Sequence, residues 1–263
     1  MLELVAYLAI GAVVGFLSGL LGIGGGIIIV SSLALMFSAH AFPAEYVMHM
    51  AIATSLGAML AGSFSSLRTH DQHGAVDWGV VKLMTPGLLA GSLGGAALAR
   101  FMPTAFLKYV FLAITLFITL QMVLGLKAKA TRELPRRGGL AAAGFFVGVI
   151  SGLFGGGAAA IGVPFLTWCN VSTHRAIGTV AALAFPLAAA GSIGYAAAGW
   201  SVAGLPRWSV GFVYLPALVG ISASSMLLAP FGARLAHRLP AARLRRIFAL
   251  VLVVMASKVA VSI

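Results

Sequence analysis

Apolar segments follow one another along this chain at about 4–21, 26–38, 46–67, 79–99, 104–125, 139–154, 158–169, 174–198, 209–231 and 242–262, and leave little sequence for anything else. Apolar runs of this length with few charges read as membrane-spanning helices. With 61% hydrophobic and 8% charged residues, no soluble domain is expected. Lipid offers no hydrogen bonds to the backbone, so such segments must satisfy their own N–H and C=O groups as helices. The expected fold is therefore an all-α integral membrane protein. The 17 Lys and Arg against 5 Asp and Glu give a net charge of +12. These basic residues punctuate the apolar segments, as the positive-inside bias of membrane proteins requires, and do not read as a nucleic-acid surface. Cys169 is the single cysteine, which excludes an intrachain disulfide and reads as a small buried apolar residue. The first segment, "MLELVAYLAIG", lacks a basic leader and carries Glu3, so it is expected to stay in the mature protein.

The two halves resemble each other. "GFLSGLLGIGGG" (15–26) returns as "GVISGLFGGGAA" (148–159), and "HMAIATS" (49–55) returns as "HRAIGTV" (174–180). "TPGLLAGS" (85–92) returns near Pro216, and "MPTAFLKYVFLAI" (102–114) returns as "LPAARLRRIFALV" (239–251). Anchors repeated in one order indicate an internal duplication. The expected division is a first repeat over 1–125, a basic linker over 126–138 and a second repeat over 139–263. Charge then decides the path. If each glycine cluster is a hairpin tip, the chain returns to the side it came from. Of the 17 Lys and Arg, only Arg100, Lys108, Arg207 and Lys258 then fall opposite the basic linker. If the clusters are mere bends, the linker and the 234–246 loop face each other across the membrane, a poor fit to positive-inside. The hairpin reading gives each half a hairpin plus three spans, so the second half is inverted relative to the first; about eight transmembrane helices are expected, in two inverted repeats, each opening with a Gly-broken helix or hairpin. It puts the linker in the cytoplasm and both termini outside. Length agrees: residues 26–38 make roughly 20 Å of helix, short of a ~30 Å hydrocarbon core.

Glycine adopts backbone angles closed to other residues and lets a ligand approach the main chain. A helix starting just after such a break points its N–H groups and partial positive charge at it, which suits an anion without any charged side chain. Paired breaks in corresponding positions of two halves point to a transporter's binding site. Gly22, Gly24, Gly25 and Gly26 form the first candidate site, and Gly155, Gly156 and Gly157 the second. Packing is the competing reading, and "GSLGGAALA" (91–99) is assigned to packing outright. "GFLSGLLGIGGGIIIVSSL", its second copy "GVISGLFGGGAAAIGVPFL", the "AIATS" and "AIGTV" segments and the basic linker together resemble the TauE/SafE family of sulfite exporters, over essentially the whole chain. The resemblance implies a secondary permease for sulfite, organosulfonates or similar small sulfur-containing anions, in a bacterial inner membrane. The copies differ in places, with Ser31 where the second has Pro164.

Hydroxyls near the breaks complete the candidate anion site: Ser18, Ser151, Thr54, Ser55 and Thr179. For each, the alternative is a hydroxyl bonded back to its own helix. His49 and His174 match between repeats and suit a proton or anion contact, or simply a span entrance. Arg175 suits anion attraction at a mouth, and Gln121 and Lys258 are polar groups in the last span of each half. All five acids, Glu3, Glu45, Asp71, Asp77 and Glu133, lie in loops or at ends, which argues against a cation site within the spans. His70, Asp71, His73 and Asp77 read as a solvated loop, and neither a metal nor a cofactor is expected. No nucleophile, base or metal constellation inside the bilayer points to an enzyme. The expected partners are a small anion and the lipid bilayer. Nucleic acid is excluded and a homo-oligomer is compatible. A non-transporting scaffold and an anion channel are the rival readings.

Overall fold

The structure, a computed structural model, describes residues 2–21, 25–40, 42–124, 132–236 and 241–262, with the side chains at 18–21, 122, 229–230, 232–236 and 241–248 and at Leu2 and Ser262 left aside. Among the described residues the chain forms ten helices. They are α1 (Leu2–Leu21), α2 (Gly26–Ala39), α3 (Val47–Gln72), α4 (Trp78–Ala99), α5 (Thr104–Val123), α6 (Arg137–Phe154), α7 (Ala159–Trp168), α8 (Thr173–Ala198), α9 (Leu215–Ala236) and α10 (Ala241–Ser262). The all-α architecture expected from the apolar runs is what forms. Five helices, α3, α4, α5, α6 and α8, are long and apolar enough to cross a membrane. One expected segment divides: the run 209–231 begins with a two-residue hairpin, β1 (Ser209–Val210) paired antiparallel with β2 (Val213–Tyr214), before α9 starts. Trp208 and Gly211 hold left-handed φ angles of 71° and 55°, which no helix accommodates.

Small residues join the helices. Gly87, Gly91 and Gly95 recur every fourth residue on α4 and face Ala141, Phe145 and Val149 on α6. In return, Gly144 and Gly148 of α6 face Met84 and Leu88. A Cβ placed on Gly91 would lie 2.1 Å from the Phe145 carbonyl oxygen, and one on Gly148 would lie 2.4 Å from that of Leu88. Backbones this close are the membrane alternative to hydrophobic attraction, which lipid does not supply between helices. Part of the packing assignment for 91–99 thus holds, but Gly94 has no neighbour within 4 Å among the described residues. The first helix treats α9 in the same way: Tyr7 meets Gly220, Gly11 meets Ser224 and Gly15 meets Ser225. In both pairs the residue numbers rise together, so α4 runs parallel to α6 and α1 parallel to α9.

Contacts at the helix ends trace the path. At one end, the Arg132 N–H donates to the Trp168 carbonyl (3.4 Å) and the Arg132 guanidinium sits over the Trp168 ring. The chain enters α6 just beyond Arg132 and leaves α7 at Trp168, so this helix pair returns to the end it came from. The start of α8 lies there too, with Gly178 against Ala75. At the opposite end, Tyr214 meets Tyr7 from α1 and Phe37 from α2, with ring centroids 6.0 and 5.8 Å apart. The pair α1–α2 therefore also returns, at the other end of the molecule. Arg100 reaches Ser201 (3.1 Å) and Lys108 reaches the Ala260 carbonyl (3.0 Å) at this same end. Partners exchange at an offset of five elements: α1 lies on α9 and α6 on α4, while α3 lies on α8 and α5 on α10.

Candidate functional site

The two helix breaks meet. A Cβ on Gly26, at the start of α2, would lie 2.6 Å from the Gly155 carbonyl oxygen and 3.0 Å from the Gly156 carbonyl carbon. No side chain fits there, so the first break lies directly on the backbone of the second. Gly155 ends α6 with φ 70° and Gly157 follows with φ 84°, left-handed angles that favour glycine and turn the chain sharply toward α7. Ser151 fixes this turn twice. Its carbonyl accepts the Gly155 N–H (2.8 Å) and its hydroxyl donates to the Gly157 carbonyl (3.2 Å). The Tyr195 hydroxyl from α8 donates to the Gly152 carbonyl (3.0 Å) one turn earlier.

The face of α3 formed by Ile52, Ser55 and Met59 abuts the junction. The Ser55 hydroxyl lies 3.2 Å from the Gly26 carbonyl and 3.3 Å from the Gly155 carbonyl. One side chain thus reaches both breaks, and it is fully buried. Gly155, at the end of α6, leaves a carbonyl beyond the helix ladder, and the α3 hydroxyl supplies a donor to it while also reaching the Gly26 carbonyl at the start of α2. Gly26, Gly155, Gly156, Gly157, Ser55 and Ser151 are thereby brought together. Gly25, adjoining Gly26, is buried as well. Gly22 and Gly24 lie outside the described residues, as does the side chain of Ser18.

Thr54 and Thr179 are both buried but face elsewhere. The Thr54 hydroxyl accepts the Tyr214 N–H (3.0 Å) where α9 begins, and the Thr179 hydroxyl accepts the Asp77 N–H (3.0 Å) where α4 begins. Each binds a helix start in the other half of the chain, an arrangement neither substrate contact nor self-bonding anticipates. His49 is buried, with Nε2 at 2.9 and 3.1 Å from the Ala99 and Met102 carbonyls, so it closes the end of α4. Its sequence counterpart His174 is exposed, as are Arg175 and Lys258, and Gln121 is half-buried. Sequence reasoning did not single out Tyr195 or Met59, single polar or flexible side chains within otherwise ordinary apolar helices.

An open cavity of about 380 Å³ lies at the Trp168 end, lined by Asp77, Glu133, Cys169, Asn170, Ser172 and Arg175 among others. Burial pushes the Cys169 thiol up, against an opposing pull from Arg132. Asp77 caps α4 through the Gly79 and Val80 N–H groups, and Asp71 accepts the Trp78 indole N–H (2.8 Å), so these carboxylates serve the local fold. No group of three or more His, Cys, Asp or Glu suited to a metal occurs among the described residues.

Two helix breaks meeting inside a helical integral membrane protein are an arrangement that secondary transporters use, and the protein is similar to membrane transporters. The chain is a member of the family described as "Sulfite exporter TauE/SafE", whose sequence profile matches residues 7–259. It is 31% identical over 260 residues to a "Probable membrane transporter protein" of Haemophilus influenzae, covering 95% of each chain. It is 28% identical over 233 residues to "Probable membrane transporter protein YdhB" of Bacillus subtilis, covering 86% of this chain and 87% of the relative. No solved structure matches it.

Proposed function

We propose that this transporter is a secondary carrier of small sulfur-containing anions such as sulfite or organosulfonates, and that the anion is held where the two glycine breaks meet. One observation carries the reading: Ser55 reaches the carbonyls of Gly26 and Gly155 together, which makes the junction a single polar site walled by apolar helices. The starts of α2 and α7 border it, and helix starts favour negative charge. The absence of carboxylates from the sequence's apolar runs favours an anion over a cation as cargo. The family's description supplies the sulfur-containing class.

In the conformation described, the breaks touch and Ser55 donates to backbone. An arriving anion must win that hydroxyl and part the two breaks, which is a change of state of the kind alternating access requires. Substrate enters and leaves chemically unchanged. The orientation that suits positive-inside puts the Trp168 end in the cytoplasm of a bacterial inner membrane, with both termini outside.

The test is flux into proteoliposomes holding the purified full-length protein. Saturable uptake of labelled sulfite, accelerated by unlabelled sulfite or methanesulfonate inside, is expected of a carrier. Non-saturating flux without counterflow would identify a channel instead. No flux for any anion of this class would leave the scaffold reading standing. Ser55→Ala should depress transport while the protein still inserts and elutes as the wild type does.

A further inference from the structure

We propose that Met59 is a movable plug on the translocation path: its thioether lies against both breaks where they meet, and the substrate anion enters only when that side chain swings aside. The proposal rests on the reading of the junction as the anion site.

Met59 follows Ser55 by one helical turn, so both face the junction from α3. Its side chain spans from one break to the other. A Cβ on Gly26 would lie 2.8 Å from Met59 Sδ, and a Cβ on Gly157 would lie 2.7 Å from Met59 Cε. Among the described residues other than 156–158, only the end of the Met59 side chain comes within 4 Å of this position, and its departure would leave room there. Methionine suits such a part: it is unbranched, has three rotatable bonds and repacks at low cost.

The two halves are unequal here. The sequence correspondence of 49–55 with 174–180 puts Val180 in the place of Ser55 and, carried one turn further, Ala184 in the place of Met59. Val180 packs its methyl groups against Gly162 of α7. The hydroxyl that reaches both breaks and the plug thus come from α3, while the Ser151 hydroxyl of α6 fixes the second break alone.

The plug predicts two readouts on the full-length protein in proteoliposomes. If the unplugged state is a minor population of a few per cent, Met59→Ala should raise the leak of methanesulfonate, measured without counter-substrate, by about tenfold or more. Met59→Leu, which keeps the volume, should stay near the wild type. In a Cys169→Ser background, Met59→Cys should react with sulfonatoethyl methanethiosulfonate, and methanesulfonate should slow that reaction. A leak in Met59→Ala equal to the wild type overturns the plug. So does a labelling rate of the Met59→Cys variant that is indifferent to methanesulfonate. If the alanine variant fails to insert, the labelling rate decides alone. Failure of the plug is separable from failure of the anion site. When Ser55→Ala loses transport but Met59→Ala leaves the leak unchanged, the plug alone falls. When Ser55→Ala transports as the wild type does, the anion site falls with it.

Discussion

Thr54 and Ser55 are neighbours on α3, yet their hydroxyls do opposite things. Ser55 gives its one proton to a pair of carbonyls at the breaks. Thr54 receives the Tyr214 N–H and so anchors the start of α9. Successive residues on a helix point about 100° apart, so a single step along α3 passes from the junction to the opposite half's helix start. Thr179 repeats the anchoring on α4 through Asp77. Replacing either threonine by valine keeps the shape and removes the acceptor. An orphaned buried amide costs about 1–3 kcal/mol. The Tyr214 bond is fully buried and the Asp77 bond only partly, so Thr54→Val should lower the thermal unfolding temperature in detergent more than Thr179→Val. Equal, unshifted unfolding curves for both variants would show that these hydroxyls anchor nothing. The sequence brings both threonines forward because they match across the halves. Their partners are invisible in it, because Tyr214 is 160 residues from Thr54 along the chain and Asp77 is 102 from Thr179.

At the scale of elements, the glycine rows on α4 and α6 set how near two helices come. Gly91 is buried against the Phe145 backbone, whereas Gly94 on the same helix is exposed with open space beside it. Adding one methyl group should therefore have contrasting effects. Gly91→Ala must push α4 from α6 and should cost a few kcal/mol, as overpacking of a tight contact does, at about 1–3. Gly94→Ala meets nothing and removes a poor helix former, so stability should hold or rise slightly. Thermal unfolding of the pair in one detergent checks this, and a destabilised Gly94→Ala would refute the assigned helix faces. Periodicity and apolar length make the helices legible from sequence. The hairpin at 209–214 is not, because its residues are as apolar as a span and only the left-handed angles at Trp208 and Gly211 divert the chain. The glycine breaks stand out through their repetition, but nothing in either copy tells that Gly26 lies on Gly155. Ser31 and Thr167 show the converse case, with hydroxyls bonded back to Ile27 and Val163 on their own helices.

The whole molecule is organised by exchange: α1 lies along α9 and α6 along α4, so each half's opening helix is packed by the other half. That arrangement fixes the ends at which charge collects. Arg68, Lys82, Arg132, Arg136, Arg137 and Arg175 belong to the ends of helices or linkers on the Trp168 side, while Arg100 and Lys108 reach Ser201 and Ala260 at the other. The positive-inside bias acts on basic residues near span ends, so the Trp168 side is the one proposed to face the cytoplasm. α10 ends beside Lys108, on the opposite side, and α1 starts there beside Tyr214. Alkaline phosphatase, which folds only outside the cytoplasm, should accordingly be active when fused after Ile263, and a fluorescent protein that fails to mature outside should be dark there. The same reporters should reverse when inserted in the basic segment 126–131. Cytoplasmic activity at the C-terminus would invert the whole assignment, because α1, α2, α9 and α10 are tied to one another by contacts that leave them no independent orientation.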